Sequence, residues 1–171
     1  MSFTKKAAAA TMTTAVIATP FFVGATAEAD PVSGSCSGGV VNFDTSPIGL
    51  ISSPTTAQVN GNFGGCQGTP APGGTIRATF TGTGSCLDVN GQVDGTVAWS
   101  DGKVSTVSGP FDVPGGVGAP KTNTLAITSG PGAGGQLVVN QGAVDGVPML
   151  GPCLAGGARQ ASLPINSLTF S

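Results

Sequence analysis

Short runs of alternating Val, Ile, Phe and Thr, each bounded by Gly, Pro, Asn or Asp, recur along most of this 171-residue chain. Eight stand out: Gly39–Phe43, Thr55–Phe63, Thr75–Gly84, Gln92–Ser100, Lys103–Ser108, Asn123–Ser129, Gln136–Asn140 and Ala161–Phe170. A period of two sends successive side chains to opposite faces of a strand, and β-branched residues suit a pleated, half-buried surface. None of the runs has the three-and-four apolar spacing of an amphipathic helix. Asn60-Gly61, Asn90-Gly91, Asp94-Gly95, Asp101-Gly102 and Asp145-Gly146 read as turn signals. The pattern predicts an all-β domain of about eight strands, an antiparallel β-sandwich or a closed barrel.

The N-terminal segment has a different character. Lys5-Lys6, an apolar stretch from Ala7 to Gly24, and small residues at Ala25, Ala27 and Ala29 have the layout of a secretory signal peptide over residues 1–29. Cleavage after Ala27 or Ala29 satisfies the small-residue rule; cleavage after Ala29 is preferred and leaves a single domain, 30–171. No later apolar run approaches the roughly 20 residues that span a bilayer. Ser33-Gly34-Ser35 before Cys36 lacks the aliphatic residue of a lipoprotein site. The expectation is a secreted, extracellular protein with no membrane contact after cleavage.

Export makes cysteine pairing plausible. Four cysteines, Cys36, Cys66, Cys86 and Cys153, read as two disulfides with three connectivities open, of which the sequential pairing Cys36–Cys66 and Cys86–Cys153 is preferred. Zinc is a poor alternative, because there is no C-x-x-C pair and no histidine. No cofactor is expected. The 29 glycines and 13 prolines approach low-complexity levels, but 39% hydrophobic and 8% charged residues are the reverse of a disordered composition. From Asp30 onward there are seven Asp, no Glu and four bases (Arg77, Lys103, Lys121, Arg159), so no basic patch exists to hold nucleic acid.

One segment can be read side chain by side chain. Asp101-Gly102, taken as a two-residue hairpin loop, pairs Trp99 with Val104 and Val97 with Thr106. Val97, Trp99, Val104 and Thr106 then share the core face, while Ala98, Ser100, Lys103 and Ser105 share the other. Trp99 is the one Trp of a chain with no Tyr. It reads as a core aromatic, with a sugar-stacking platform as the functional alternative. The Pro- and Gly-rich joints Gly65–Gly74, Gly109–Lys121, Ser129–Gly135 and Gly146–Gly157 break the strand pattern and are where loops, and a binding surface, are expected.

The tempting motifs fail on context. Gly130-Pro131-Gly132-Ala133-Gly134-Gly135 matches G-x-G-x-x-G, but a strand-like Gln136-Leu137-Val138-Val139 follows instead of a helix, so it reads as a glycine-rich turn. Asp88 to Gly95 faintly resembles a calcium loop but lacks the distant Glu, and reads as a surface turn. Without histidine, Ser-His-Asp and Cys-His arrangements are impossible. Paired carboxylates for glycoside hydrolysis remain, with Asp88, Asp94, Asp101 and Asp112 the candidates. Asp94 and Asp101 sit beside Gly, and Asp88 two residues before Asn90, where Asp serves turns.

The cysteine layout, the phrase from Gly95 to Val107 and the late Cys153 resemble a group of small secreted proteins of actinobacteria, whose members are described only as hypothetical or secreted proteins. The shared pattern is Cys36-Ser37-Gly38 at the first strand, Gly65-Cys66, and Gly84-Ser85-Cys86. The resemblance implies an all-β, disulfide-bonded extracellular domain and supplies no functional residues. The expected function is a non-enzymatic binding or structural component at the cell exterior, its partner a cell-envelope or extracellular polymer. The alternatives are a carrier of a small apolar molecule and a glycan-active enzyme using paired Asp residues.

Overall fold

The computed structural model describes residues 32–114, 120–143 and 147–171. The expected signal peptide, Asp145-Gly146 and the middle of the 109–121 joint lie outside the described residues. Ten strands form: β1 (Gly34–Cys36), β2 (Gly39–Ile48), β3 (Ser53–Gly64), β4 (Cys66–Gln67), β5 (Gly73–Ser85), β6 (Asp88–Trp99), β7 (Val104–Pro114), β8 (Thr122–Ser129), β9 (Gln136–Gln141) and β10 (Ala158–Phe170). A helix, α1 (Val147–Leu154), precedes β10. Each of the eight alternating runs lies wholly or largely in one of the eight long strands. These pair antiparallel in the order β2-β3-β5-β6-β7-β8-β9-β10, and β2 pairs back to β10. The chain therefore adopts the closed barrel and not the two-sheet sandwich, and closure leaves no free edge among these eight strands.

Alternation decides what faces where. Val41, Val59, Phe63, Phe80, Val97, Trp99, Val107, Leu125, Leu137, Leu163, Leu168 and Phe170 are buried inside one core. Along β10 the inward phase runs Leu163, Ile165 and then Leu168, Phe170. The register shifts between Ile165 and Ser167, where a bulge at Asn166 rephases the strand. At the same point β10 changes one neighbour, from β2 to the short β1.

At that end the β2–β3 pair is prolonged by β1 and β4. Gly38 (φ 106°) and Gly65 (φ 62°) form the joints, conformations costly for any residue with a Cβ. Cys36 lies opposite Cys66 and bonds to it. With buried Val32 and Ala71, this bridge packs onto the core at the end that holds Phe63, Trp99 and Phe170. Trp99 meets Phe170 at 4.9 Å and Phe63 edge-on at 5.7 Å. The second disulfide, Cys86–Cys153, ties the β5–β6 turn to α1 at the opposite end. Both bridges follow the sequential pairing. The Cys86 N–H also donates to the Gly49 carbonyl at 2.8 Å, so the β2–β3 turn joins the same assembly. Exposed Leu50, Ile51, Leu87 and Leu154 cluster on these connections.

Four expectations need correction. The joint at Gly146–Gly157 contains α1, a helix too short to show periodicity, with Pro152 inside it. A segment with Gly151 and an internal proline has little intrinsic helicity, so its anchor at Cys153 is what holds it. The Gly109–Lys121 joint is not a break at its start, because β7 runs on to Pro114. Asn60-Gly61, Asn90-Gly91 and Asp94-Gly95 are not turns but lie within β3 and β6. Their Asn or Asp points out and their Gly points in, where two strands of a tight barrel approach. Gly82 opposes Gly91, and a Cβ on Gly82 would fall 2.6 Å from the Gly91 Cα. Gly82→Val is expected to destabilise the barrel by about 3 kcal/mol or more, as overpacking against backbone does. A urea midpoint unchanged by this substitution would show that the strands do not meet there.

The fourth correction is the hairpin. Val97 faces Ser105 and Ala98 faces Val104, one residue away from the expected register. The loop has three residues: the Gly102 N–H donates to the Trp99 carbonyl, the Trp99 N–H to the Lys103 carbonyl, and Gly102 takes φ 90°. This is a type I turn closed by a glycine bulge. A two-residue loop would need positive φ at Asp101 as well, and no non-glycine residue among those described has it. The slip reverses every side chain of β7: Val104 is 49% exposed, while Ser105 and Val107 point inward.

Candidate functional site

The barrel interior is filled. A wholly apolar cavity of about 30 Å³ remains among Val41, Phe43, Ile76, Phe111, Leu137 and Leu168. Ligand sites are about 300–1,000 Å³, so this space is a packing defect on that scale. Trp99 is 3% exposed, and its Nε1–H donates to the Ser105 Oγ at 3.0 Å. That leaves no ring face for a sugar, and the indole serves as a core aromatic. Ser105, missed by the sequence reading, donates in turn to the Pro131 carbonyl at 2.7 Å. The Gly130–Gly135 segment is the tight β8–β9 turn, with positive φ at Gly130, Gly132 and Gly134.

Near the α1 end, β7 and β8 part company. Their backbone ladder covers Thr106 to Ser108. Beyond it the Asn123 side chain replaces the ladder, accepting from the Asp112 N–H at 2.9 Å and donating to the Asp112 carbonyl at 3.0 Å. Gln141 Nε2 donates to the same carbonyl, and Lys121 Nζ pairs with Asp112 Oδ2 at 2.7 Å. Gln141 is 1% exposed and its Oε1 has no partner among the described residues. Asn123→Leu orphans the Asp112 N–H, while Gln141 still donates to the Asp112 carbonyl, and is expected to cost about 1–3 kcal/mol. Gln141→Leu removes an unsatisfied acceptor while Asn123 still holds Asp112, and is expected within about 1 kcal/mol of wild type. Chemical denaturation of both variants checks the pair; equal losses would contradict it.

The carboxylates proposed for catalysis spread along the β6–β7 hairpin. Asp101 caps the turn, Asp94 lies mid-wall, and Asp112 faces Asn90, one diagonal step from Asp88. Each has a local partner: Asn90 for Asp88, Ser108 for Asp94, the Lys103 N–H for Asp101 and Lys121 for Asp112. Asp88 to Gly95 is not a loop but part of β6, with Asp88, Asn90, Gln92 and Asp94 in a row on the outer face. Oxygens so spaced along a strand do not converge on one ion. Among the described residues no group of three or more acidic or cysteine side chains could hold a metal ion.

Among the described residues the outer wall offers an open recess. Cross-strand register lines up Gln160, Asp44, Gln58, Thr79, Asp94 and Ser108 in one girdle. Ser162, Asn42, Asn60, Arg77, Thr96 and Thr106 form the next. A transmembrane barrel carries an apolar band on this face. Where β3, β5 and β6 cross the two girdles, the surface is dished, with a volume of about 390 Å³ edged by Gln58, Asn60, Arg77, Thr79 and Asp94. Small inward residues, Ala57, Ala78 and Gly95, underlie this wall; a Cβ on Gly95 would collide with Ala78. Among the described residues no ion pair and no side-chain hydrogen bond engages Arg77. The sequence marked these residues only as solvent-facing strand positions, and the strand register is what assembles them.

No family model, no curated protein and no solved structure matches this chain.

Proposed function

We propose that this protein is a secreted, non-enzymatic binding module that engages an extracellular or cell-envelope polymer through its outer wall. The observation that carries this is the dish on β3–β5–β6, a shallow, open polar recess on a barrel whose interior holds, among the described residues, a cavity of about 30 Å³. Two disulfides suit an oxidising exterior, and the segment 1–29 supplies the route to it. Among the described residues no helix is long and apolar enough to cross a membrane. An amide- and hydroxyl-rich exterior exchanges hydrogen bonds with a hydrated polymer at little desolvation cost.

Co-sedimentation with insoluble cell-wall material and with purified extracellular polysaccharide tests the reading. Retention that falls on Arg77→Ala supports it; no retention on either material overturns it. Native mass spectrometry of the protein from culture fluid separates the carrier alternative, since a bound apolar molecule would appear as added mass.

A further inference from the structure

We infer that the dish takes a neutral, polyhydroxylated saccharide segment held between the Arg77 guanidinium and the Asp94 carboxylate; this rests on the polymer-binding reading above. Register places Arg77 opposite Thr96 and Thr79 opposite Asp94, so the two charges are diagonal neighbours on one face. They are not paired with each other: no salt bridge joins them among those formed by the described residues. Arg77 therefore keeps its donor fork, and Asp94 spends one oxygen on Ser108 at 2.6 Å. Between and beside them stand Gln58, Asn60 and Thr79, each able both to donate and to accept.

That mixture selects for a ligand class. The dish has one positive and one negative group, so it carries no net charge. An anionic polymer would meet Asp94 and a domain in which seven Asp outnumber four bases from Asp30 onward; a cationic polymer would meet Arg77. Vicinal hydroxyls, which donate and accept, satisfy both charges and the amides together. The girdles continue the same chemistry onto β2 and β7, so a chain longer than one residue finds further partners. No aromatic ring is among the residues edging the dish, so hydrogen bonds carry the contact.

Affinity electrophoresis through gels cast with hydroxyethyl cellulose or mannan (neutral), polygalacturonate (anionic) and DEAE-dextran (cationic) tests this. The comparison uses wild type, Arg77→Ala, Asp94→Ala and, as a control remote from the dish, Lys103→Ala. All three substituted side chains are on the exterior, and Trp99 fluorescence verifies folding. The expected result is retardation in a neutral gel, insensitive to salt, weakened about tenfold or more by either dish variant and unchanged by Lys103→Ala. Retardation confined to a charged gel and abolished by salt overturns the neutral-saccharide inference while leaving polymer binding standing. Neutral-gel retardation that survives both dish variants overturns the dish as the site. No retardation in any gel overturns the inference, and loss of retention on insoluble wall material as well overturns the polymer-binding reading with it.

Discussion

Removing the Cys86–Cys153 bridge by Cys86→Ser with Cys153→Ala is expected to lower the unfolding free energy by about 4 kcal/mol. The two cysteines are 67 residues apart. On the chain-entropy model a loop of that length restrains the unfolded chain by about 4.4 kcal/mol. Alanine is specified at 153 because that side chain is buried and a serine hydroxyl there would add a desolvation cost of its own. The folded state loses something as well. α1 has eight residues and an internal proline, and nothing in its sequence would keep it helical without the bridge. Urea unfolding followed by Trp99 fluorescence measures the loss, and far-ultraviolet circular dichroism measures the helix. A loss below about 1 kcal/mol would mean that the bridge does not restrain the unfolded chain. The Cys36–Cys66 bridge spans 30 residues and is expected to contribute about 3.6 kcal/mol on the same model.

Trp99→Ala is expected to cost about 3–5 kcal/mol, the range for emptying a large aromatic site. The ring packs on Phe63 and Phe170 beneath the β1–β4 bridge, so its loss loosens the whole capped end. Ser105→Ala is the sharper companion. Ser105 is fully buried and links the Trp99 indole to the Pro131 carbonyl, so its removal orphans a donor and an acceptor at once. A loss of about 2–4 kcal/mol is expected, against nearly none for a solvent-facing serine on a strand. Thermal and urea denaturation of the two variants decides between the three-residue loop and a two-residue loop. In the second register Ser105 faces water, and Ser105→Ala would be neutral.

The eight barrel strands were legible because alternation survives in each of them; the even cysteine count gave two bridges but left three pairings open, of which the preferred sequential one is formed. What failed did so for two physical reasons. Glycine next to Asn or Asp signals a turn in an open chain, yet in a narrow barrel the same dipeptide satisfies a close strand contact, as Asn90-Gly91 does against Gly82. The register of β7 also depended on its length. Cut at Ser108, the strand offers Val104 or Val107 as equal anchors; continued to Pro114, Val107, Phe111 and Val113 mark the inward face. Gly109-Pro110 hid that continuation. The dish was not legible at all. Gln58, Arg77 and Asp94 are 19 and 17 residues apart in sequence and meet only through pairing of β3, β5 and β6.

The most direct single measurement is a nuclear magnetic resonance titration of the isotopically labelled protein with a soluble neutral glucan oligosaccharide. Shift changes are expected for the amides of Gln58, Asn60, Arg77, Thr79 and Asp94, with the buried methyls of Val41, Leu137 and Leu168 unmoved. Movement of the interior methyls, or no movement along the β3–β5–β6 wall, would contradict a barrel that is filled within and binds without.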